Sequence, residues 1–390
     1  VIKNNILAVL FMSAAGALLL LGCAEPPADE STESAADSLA GNLGEETVEL
    51  DAPGRDPRLV IFEPLPELME SPDNPITLAK VNLGRKLYYD TRLSKNQDIS
   101  CNTCHLLDKF GVDGLPVSVG HKEQVGTRNA PSVYNAAGHI SQFRDGRAAT
   151  IEEQAKVPPL NPVEMAMADE AAVEAVLKSI PGYAPMFTAA FPEDEDPITF
   201  NNMASAIGAF ERGLVTRSRF DDYLAGDDEA LTKNEIEGLN AFLDAGCASC
   251  HSGAYVGGSM YQKLGVVQPW LGTEDLGRFD VTGEDADRQV FKVPSLRNVS
   301  HTGPYFHDGS VGSLNEAVRL MARHQLGLEM SNEQVISIIA FLNSLDGEID
   351  QAYIAMPELP ESSDATPAPD PSLGGPPDSA VSGMDEQVRR

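Results

Sequence analysis

Two pentapeptides of the form Cys-x-x-Cys-His constrain this chain more than any other feature: Cys101-Asn102-Thr103-Cys104-His105 and Cys247-Ala248-Ser249-Cys250-His251. Each pair of thiols can bond the two vinyl groups of one porphyrin, and the histidine that follows reaches its iron from one side. With five Cys and seven His in 390 residues, chance supplies such a string about 0.001 times, so two in one chain are no accident. Zinc and redox Cys-x-x-Cys pairs need no histidine directly after the second cysteine. The expectation is two covalently bound haem c groups, attached at Cys101, Cys104, Cys247 and Cys250, with His105 and His251 as iron ligands.

The fifth cysteine, Cys23, has a separate explanation. Lys3 precedes an apolar run, Ile6 to Leu21, that ends in Leu20-Leu21-Gly22-Cys23. A charged start, a short apolar core and a small residue before the cut describe a secretory signal, and the run is short for a membrane span. Cysteine directly after Leu-Leu-Gly resembles a bacterial lipobox. Residues 1–22 are therefore expected to be a lipoprotein signal peptide, with Cys23 the lipid-bearing mature N-terminus; the alternative is an ordinary signal with an incidental cysteine. All five cysteines are then assigned, and no disulfide is expected. Export agrees with c-type haem, which is attached outside the bacterial cytoplasm, so the expected location is periplasmic with a membrane tether.

The formal net charge of −31 is unevenly distributed, with −9 from residues 24–57, −8 from residues 346–390 and −15 from residues 58–345. Both flanks are rich in Pro, Ser, Ala and Gly without apolar periodicity, and read as solvated, largely disordered tethers. Only the start of the second, 348–390, is given room to pack back on the N-terminal domain. A negative core repels nucleic acid. It permits a basic electron-donor protein without demanding one.

Between the tails the pattern is mainly helical. Thr232-x-x-Glu235 is a capping box followed by Ile236, Leu239, Phe242 and Leu243 on one face, and this helix leads into the second haem motif. Ser313-x-x-Glu316 opens another helix, with Leu314, Ala317, Val318 and Met321 as its stripe, and Ser331-x-x-Gln334 opens a third. Leu78 to Tyr89 has helical character, Pro192 to Pro197 is a loop, and no stretch alternates with period two. Two motifs 146 residues apart predict two mostly helical haem domains, 58–214 and 215–347, between a tether (23–57) and the tail (348–390).

Each iron has a second axial position. His121 lies among Gly111, Gly114, Gly120 and Gly126, a loop on which a histidine could bind iron in one state and leave it in another. Methionine is the usual partner in an electron-transfer haem, because Met/His ligation raises the potential. Met321 is a candidate, although its helix stripe suits core packing equally, and spacing leaves Met260 and Met330 open.

From about residue 75 to 347 the chain resembles the bacterial dihaem cytochrome c peroxidases. The matching strings include Gly114-Leu115-Pro116-Val117-Ser118, Arg128-Asn129-Ala130-Pro131, Glu152-Glu153-Gln154 and Asn161-Pro162-Val163-Glu164-Met165. Later come Val293-Pro294-Ser295-Leu296-Arg297-Asn298, the Thr302–Gly309 string and Met321-Ala322-Arg323-His324-Gln325-Leu326-Gly327, in family order around both motifs. The resemblance implies a mainly α fold of two cytochrome c-like haem domains with calcium between them. It implies that His121 caps the first, low-potential haem and leaves it on activation, and that Met321 ligates the second, high-potential haem. Glu164 and Gln154 would be the distal catalytic pair, and Asn129 with the carbonyls of Thr302 and Pro304 would hold the calcium. The family usually has tryptophan where this chain has Arg144, in Phe143-Arg144-Asp145-Gly146-Arg147. That tryptophan is thought to help electrons pass between the haems.

The implied activity is reduction of hydrogen peroxide to water with electrons from a small exported c-type cytochrome or cupredoxin, and a homodimer is compatible with the family. Two other readings remain: a MauG-like dihaem enzyme that oxidises a protein substrate, and a non-catalytic electron carrier or sensor. The first has tyrosine where Met321 stands here.

Overall fold

The computed structural model describes residues 55–271 and 274–372, so the expected signal peptide, Cys23 and most of the first tether lie outside the described residues. The described chain is mainly helical. Its two named strands are three residues each, Tyr261–Lys263 paired antiparallel with Val290–Lys292, Tyr261 opposite Lys292. No helix among the described residues is long and apolar enough to cross a membrane.

Two hydrophobic cores are built by the same device. In the first, helix Leu78–Tyr89, started by the Thr77 side chain accepting from the Lys80 N–H, crosses helix Phe200–Glu211. A Cβ on Gly84 would overlap the Ala206 carbonyl oxygen. In the second, helix Lys233–Asp244 crosses helix Asn332–Asn343, and a Cβ on Gly238 would overlap the carbonyl of Ser337. A mid-helix glycine costs about 1 kcal/mol against alanine. Here it lets two backbones approach, so that Leu83, Leu87, Tyr88 and Phe210 close one core, and Leu239, Phe242, Ile338 and Phe341 the other.

The halves also share a sequence repeat at an offset of 163 residues. Pro131-Ser132-x-x-Asn135 recurs as Pro294-Ser295-x-x-Asn298, and Phe143-x-Asp145-Gly146 as Phe306-x-Asp308-Gly309. The backbone repeats with it: Phe143 and Phe306 both have positive φ (65° and 71°), as do Asn135 and Asn298 (61° and 59°). Both asparagine amides donate to the buried Thr216 hydroxyl, at 2.9 and 2.8 Å. The two repeats exchange main-chain bonds as well, Asn129 N–H to the His307 carbonyl and Lys292 N–H to that of Arg144, each 2.8 Å.

The segments flanking the two cores cross over. Leu59 and Phe62 pack in the second core, where Phe62 meets Phe220 edge-on at 5.3 Å. Tyr353 and Ile354 pack on the first, Tyr353 stacking on Phe210 at 5.2 Å. The acidic tail departs from the disordered tether expected of it, because residues 350–372 lie along the first core. Carbonyls of Ala352, Tyr353, Glu358, Pro360 and Pro367 accept from Arg85, Lys86, Arg92 and Gln97. Side chains add to this docking: the Tyr353 hydroxyl donates to the Phe210 carbonyl, Ser363 Oγ donates to the Ser179 carbonyl, and Asp370 pairs with Lys95.

Candidate functional site

Both Cys-x-x-Cys-His motifs sit in short helical turns. Cys101–Cys104 is a single α turn boxed by Ser100 and Thr103, and Cys247–Ser249 is a 3-10 turn entered through Gly246 at φ 86°. The histidines repeat one arrangement. His105 Nδ1 lies 3.3 Å from the Gly111 carbonyl, and His251 Nδ1 lies 3.4 Å from that of Val256. Burial holds both imidazoles below their ordinary pKa, His251 at about 4. A neutral ring whose Nδ1 donates to a carbonyl presents a bare Nε2, which is what an iron ligand requires. The Tyr88 hydroxyl donates to the His105 carbonyl at 2.8 Å, tying the first motif to its core.

The described motif thiols are half-buried. Burial raises Cys101 furthest and pushes Cys104 and Cys247 up to about 11. Among the described residues no three His, Cys, Asp or Glu side chains converge on a metal-sized site.

Around the first motif, Glu164 is half-buried rather than the surface carboxylate its local sequence suggests. Burial raises its pKa, opposed by the charge of Arg147 and by the Asn161 amide, which donates to Glu164 Oε1 at 2.8 Å. Its charge is felt by both Cys101 and Cys104, so it stands beside the first haem position. Gln154 is half-buried on the short helix Ile151–Ala155, begun by Thr150. His121 is in a loop, as expected, but the loop is docked. Its N–H donates to the Glu164 carbonyl at 2.8 Å, its ring is 1% exposed, and Nε2 lies 3.0 Å from the Ser372 carbonyl. The tail thus passes within hydrogen-bond distance of the residue expected to cap the first iron.

Around the second motif one large cavity is lined by Cys247, Cys250, His251 and Met321. Met330 also lines it, whereas Met260 does not. Met321 closes helix Leu314–Met321, and the next five residues form a π turn, a distortion common at functional sites. The donor set and the mainly apolar walls fit a haem ligated by His251 and Met321.

Asn129, Thr302 and Pro304 line the same cavity, together with Arg144. The calcium expected there does not fit these residues as they stand. Arg144 Nη2 donates to Asn129 Oδ1 at 2.6 Å, so the one side-chain oxygen of the set already serves a cation. Sequence reasoning missed this pairing, and it missed Glu211, a buried carboxylic acid near Cys101. The 163-residue repeat would have flagged Arg144 as the counterpart of His307.

A family profile described as di-haem cytochrome c peroxidase matches residues 78–229. The cytochrome c551 peroxidase of Pseudomonas aeruginosa is 45% identical over 79% of this chain and 90% of its own length. That of Nitrosomonas europaea is 47% identical over 74% and 86%. Among solved structures, a MauG-like protein associated with microbial copper homeostasis aligns with TM-score 0.67 and 31% identity, over 75% of this chain and 97% of that one.

Proposed function

We propose a division of labour within a chain that belongs to the dihaem cytochrome c peroxidase family and is a peroxidase. Residues 58–214 would serve peroxide reduction, and residues 215–347 would receive electrons from a small c-type cytochrome or cupredoxin. The haems, once attached, supply the electrons and the iron that peroxide meets. Hydrogen peroxide takes two electrons and two protons to become two waters, and the protein's own share is the protons.

Glu164 carries this reading. Held above its ordinary pKa by burial and oriented by Asn161, it can accept a proton from one peroxide oxygen and deliver it to the other. The departing oxygen then leaves as water rather than hydroxide, which is ordinary general acid–base work. Gln154 would orient the peroxide. His121 would cap the first haem at rest and withdraw on activation, and the Ser372 carbonyl offers the withdrawn ring a partner. Met321 opposite His251 would set a high potential at the point of electron entry. Export to the periplasm and a lipid tether at Cys23 complete the proposal; the haem motifs and the Leu-Leu-Gly-Cys string support them.

The test is peroxide-dependent oxidation of a reduced c-type cytochrome by the haem-loaded protein. Turnover supports the reading. A protein that carries both haems yet oxidises no reduced cytochrome or cupredoxin would return it to the MauG-like or electron-carrier alternatives.

A further inference from the structure

The repeats meet where Asn129 and Arg144 touch, and this contact departs from what the family resemblance implies. Asn129 is 5% exposed and fully engaged. Its N–H donates to the His307 carbonyl at 2.8 Å and its Nδ2 to the Leu115 carbonyl at 3.0 Å, which fixes Oδ1 as the acceptor facing Arg144. The guanidinium takes both oxygens of this one residue, Oδ1 from Nη2 at 2.6 Å and the carbonyl from Nε at 3.4 Å. Its own backbone is pinned in turn, the Arg144 carbonyl accepting from Lys292 N–H at 2.8 Å.

The oxygens on offer suit calcium poorly. Calcium takes six to eight oxygens and is strengthened by carboxylates, whereas Asn129, Thr302 and Pro304 offer one neutral side-chain oxygen and two carbonyls. The positive charge of Arg128 is engaged by Asp145 and Asp275. A guanidinium is charged at neutral pH. A calcium ion would have to displace Arg144 from Asn129 and then sit beside its positive charge. Arginine suits the alternative, because its planar fork can grip two oxygens at once.

We propose that the Arg144 guanidinium takes the place of calcium at Asn129 Oδ1, beside the main-chain bonds that join the two repeats, so that this chain binds no calcium at the Asn129–Thr302–Pro304 site. A tethered cation cannot dissociate, and the cavity of the second haem is then organised independently of any chelator. The proposal goes beyond the peroxidase reading and does not depend on it.

Calorimetry on the haem-loaded full chain tests it. The protein is stripped with a chelator and titrated with calcium chloride up to about a millimolar, the weak end of biological calcium modules. The wild type should show no binding heat. Arg144→Trp and Arg144→Met both vacate Asn129 Oδ1, and at least one that retains both haem spectra should bind calcium at least about tenfold more tightly than wild type. Calcium uptake by the wild type at this site, abolished by Asn129→Ala, overturns the proposal. So does failure of both haem-loaded variants to bind calcium, since Arg144 would then not be what excludes it. An inactive enzyme would sink the peroxidase reading and leave the calorimetry as it stands.

Discussion

Replacing Glu211 with glutamine should change how stability depends on pH. Glu211 ends helix Phe200–Glu211 and is 3% exposed, and its Oε2 has no hydrogen-bond partner among the described residues. The charged and titratable groups that sense it are Tyr88, Cys101, Glu152, Arg212 and Tyr353. Of these only Arg212 is positive, and its guanidinium is committed to Glu152 at 2.8 and 2.9 Å. Burial, then the charge of Glu152, push the Glu211 carboxyl from its ordinary 4.5 to about 8, against Arg212.

Between those two values the folded protein holds a proton that the unfolded chain has released. Stability is therefore lost as pH rises through the window, and none of this penalty exists below about 4.5. At 1.36 kcal/mol per pKa step the penalty reaches at most about 5 kcal/mol above pH 8, and about 3 kcal/mol at pH 7. Glutamine keeps the shape and does not titrate, so its own unpaired amide adds only a pH-independent offset. Denaturant unfolding of both haem-loaded proteins at pH 5 and 8.5 should show Glu211→Gln gaining about 2–5 kcal/mol relative to wild type across that interval. Parallel pH profiles would refute the reasoning, because Glu211 would then ionise as a solvated carboxyl does.

Glu164→Gln should keep both haem spectra and lower peroxide turnover by about two to four orders of magnitude; near-wild-type turnover would remove the carboxylate from the mechanism. Met321→Leu preserves volume and should abolish the far-red thioether–iron charge-transfer band of the second haem. An unchanged band would transfer the ligand to Met330, the other methionine in that cavity. His121→Gly should give a high-spin first haem that reacts with peroxide without prior reduction, whereas a low-spin spectrum would show that His121 is not its ligand.

Much of the frame was legible because its signals are local. Helix Leu78–Tyr89 and the capping boxes at Thr232 and Ser331 stand where the sequence puts them. At Ser313 the side chain accepts from the Glu316 N–H as expected. The main-chain carbonyls that help to anchor the tail leave no mark on composition; Pro, Ser and acidic residues look the same docked or solvated. Arg144 was read as a lost tryptophan, and its partner lies 15 residues earlier, beyond any helical or strand period. Glu211 carries no local signal in the sequence. Only packing reveals that its neighbours leave it neither water nor a free cation.

The crossing of the flanking segments makes the two halves inseparable as heritable parts. A gene cut at residue 214 would deliver a second half without Phe62 against Phe220, and without Leu65, whose N–H donates to the buried Asp221 at 2.7 Å. The first half would lose Tyr353 from Phe210 and the Ile354 carbonyl from the Tyr89 hydroxyl. Each half completes the other's interior, so recombination between relatives could exchange loops around either haem far more easily than whole haem-bearing halves.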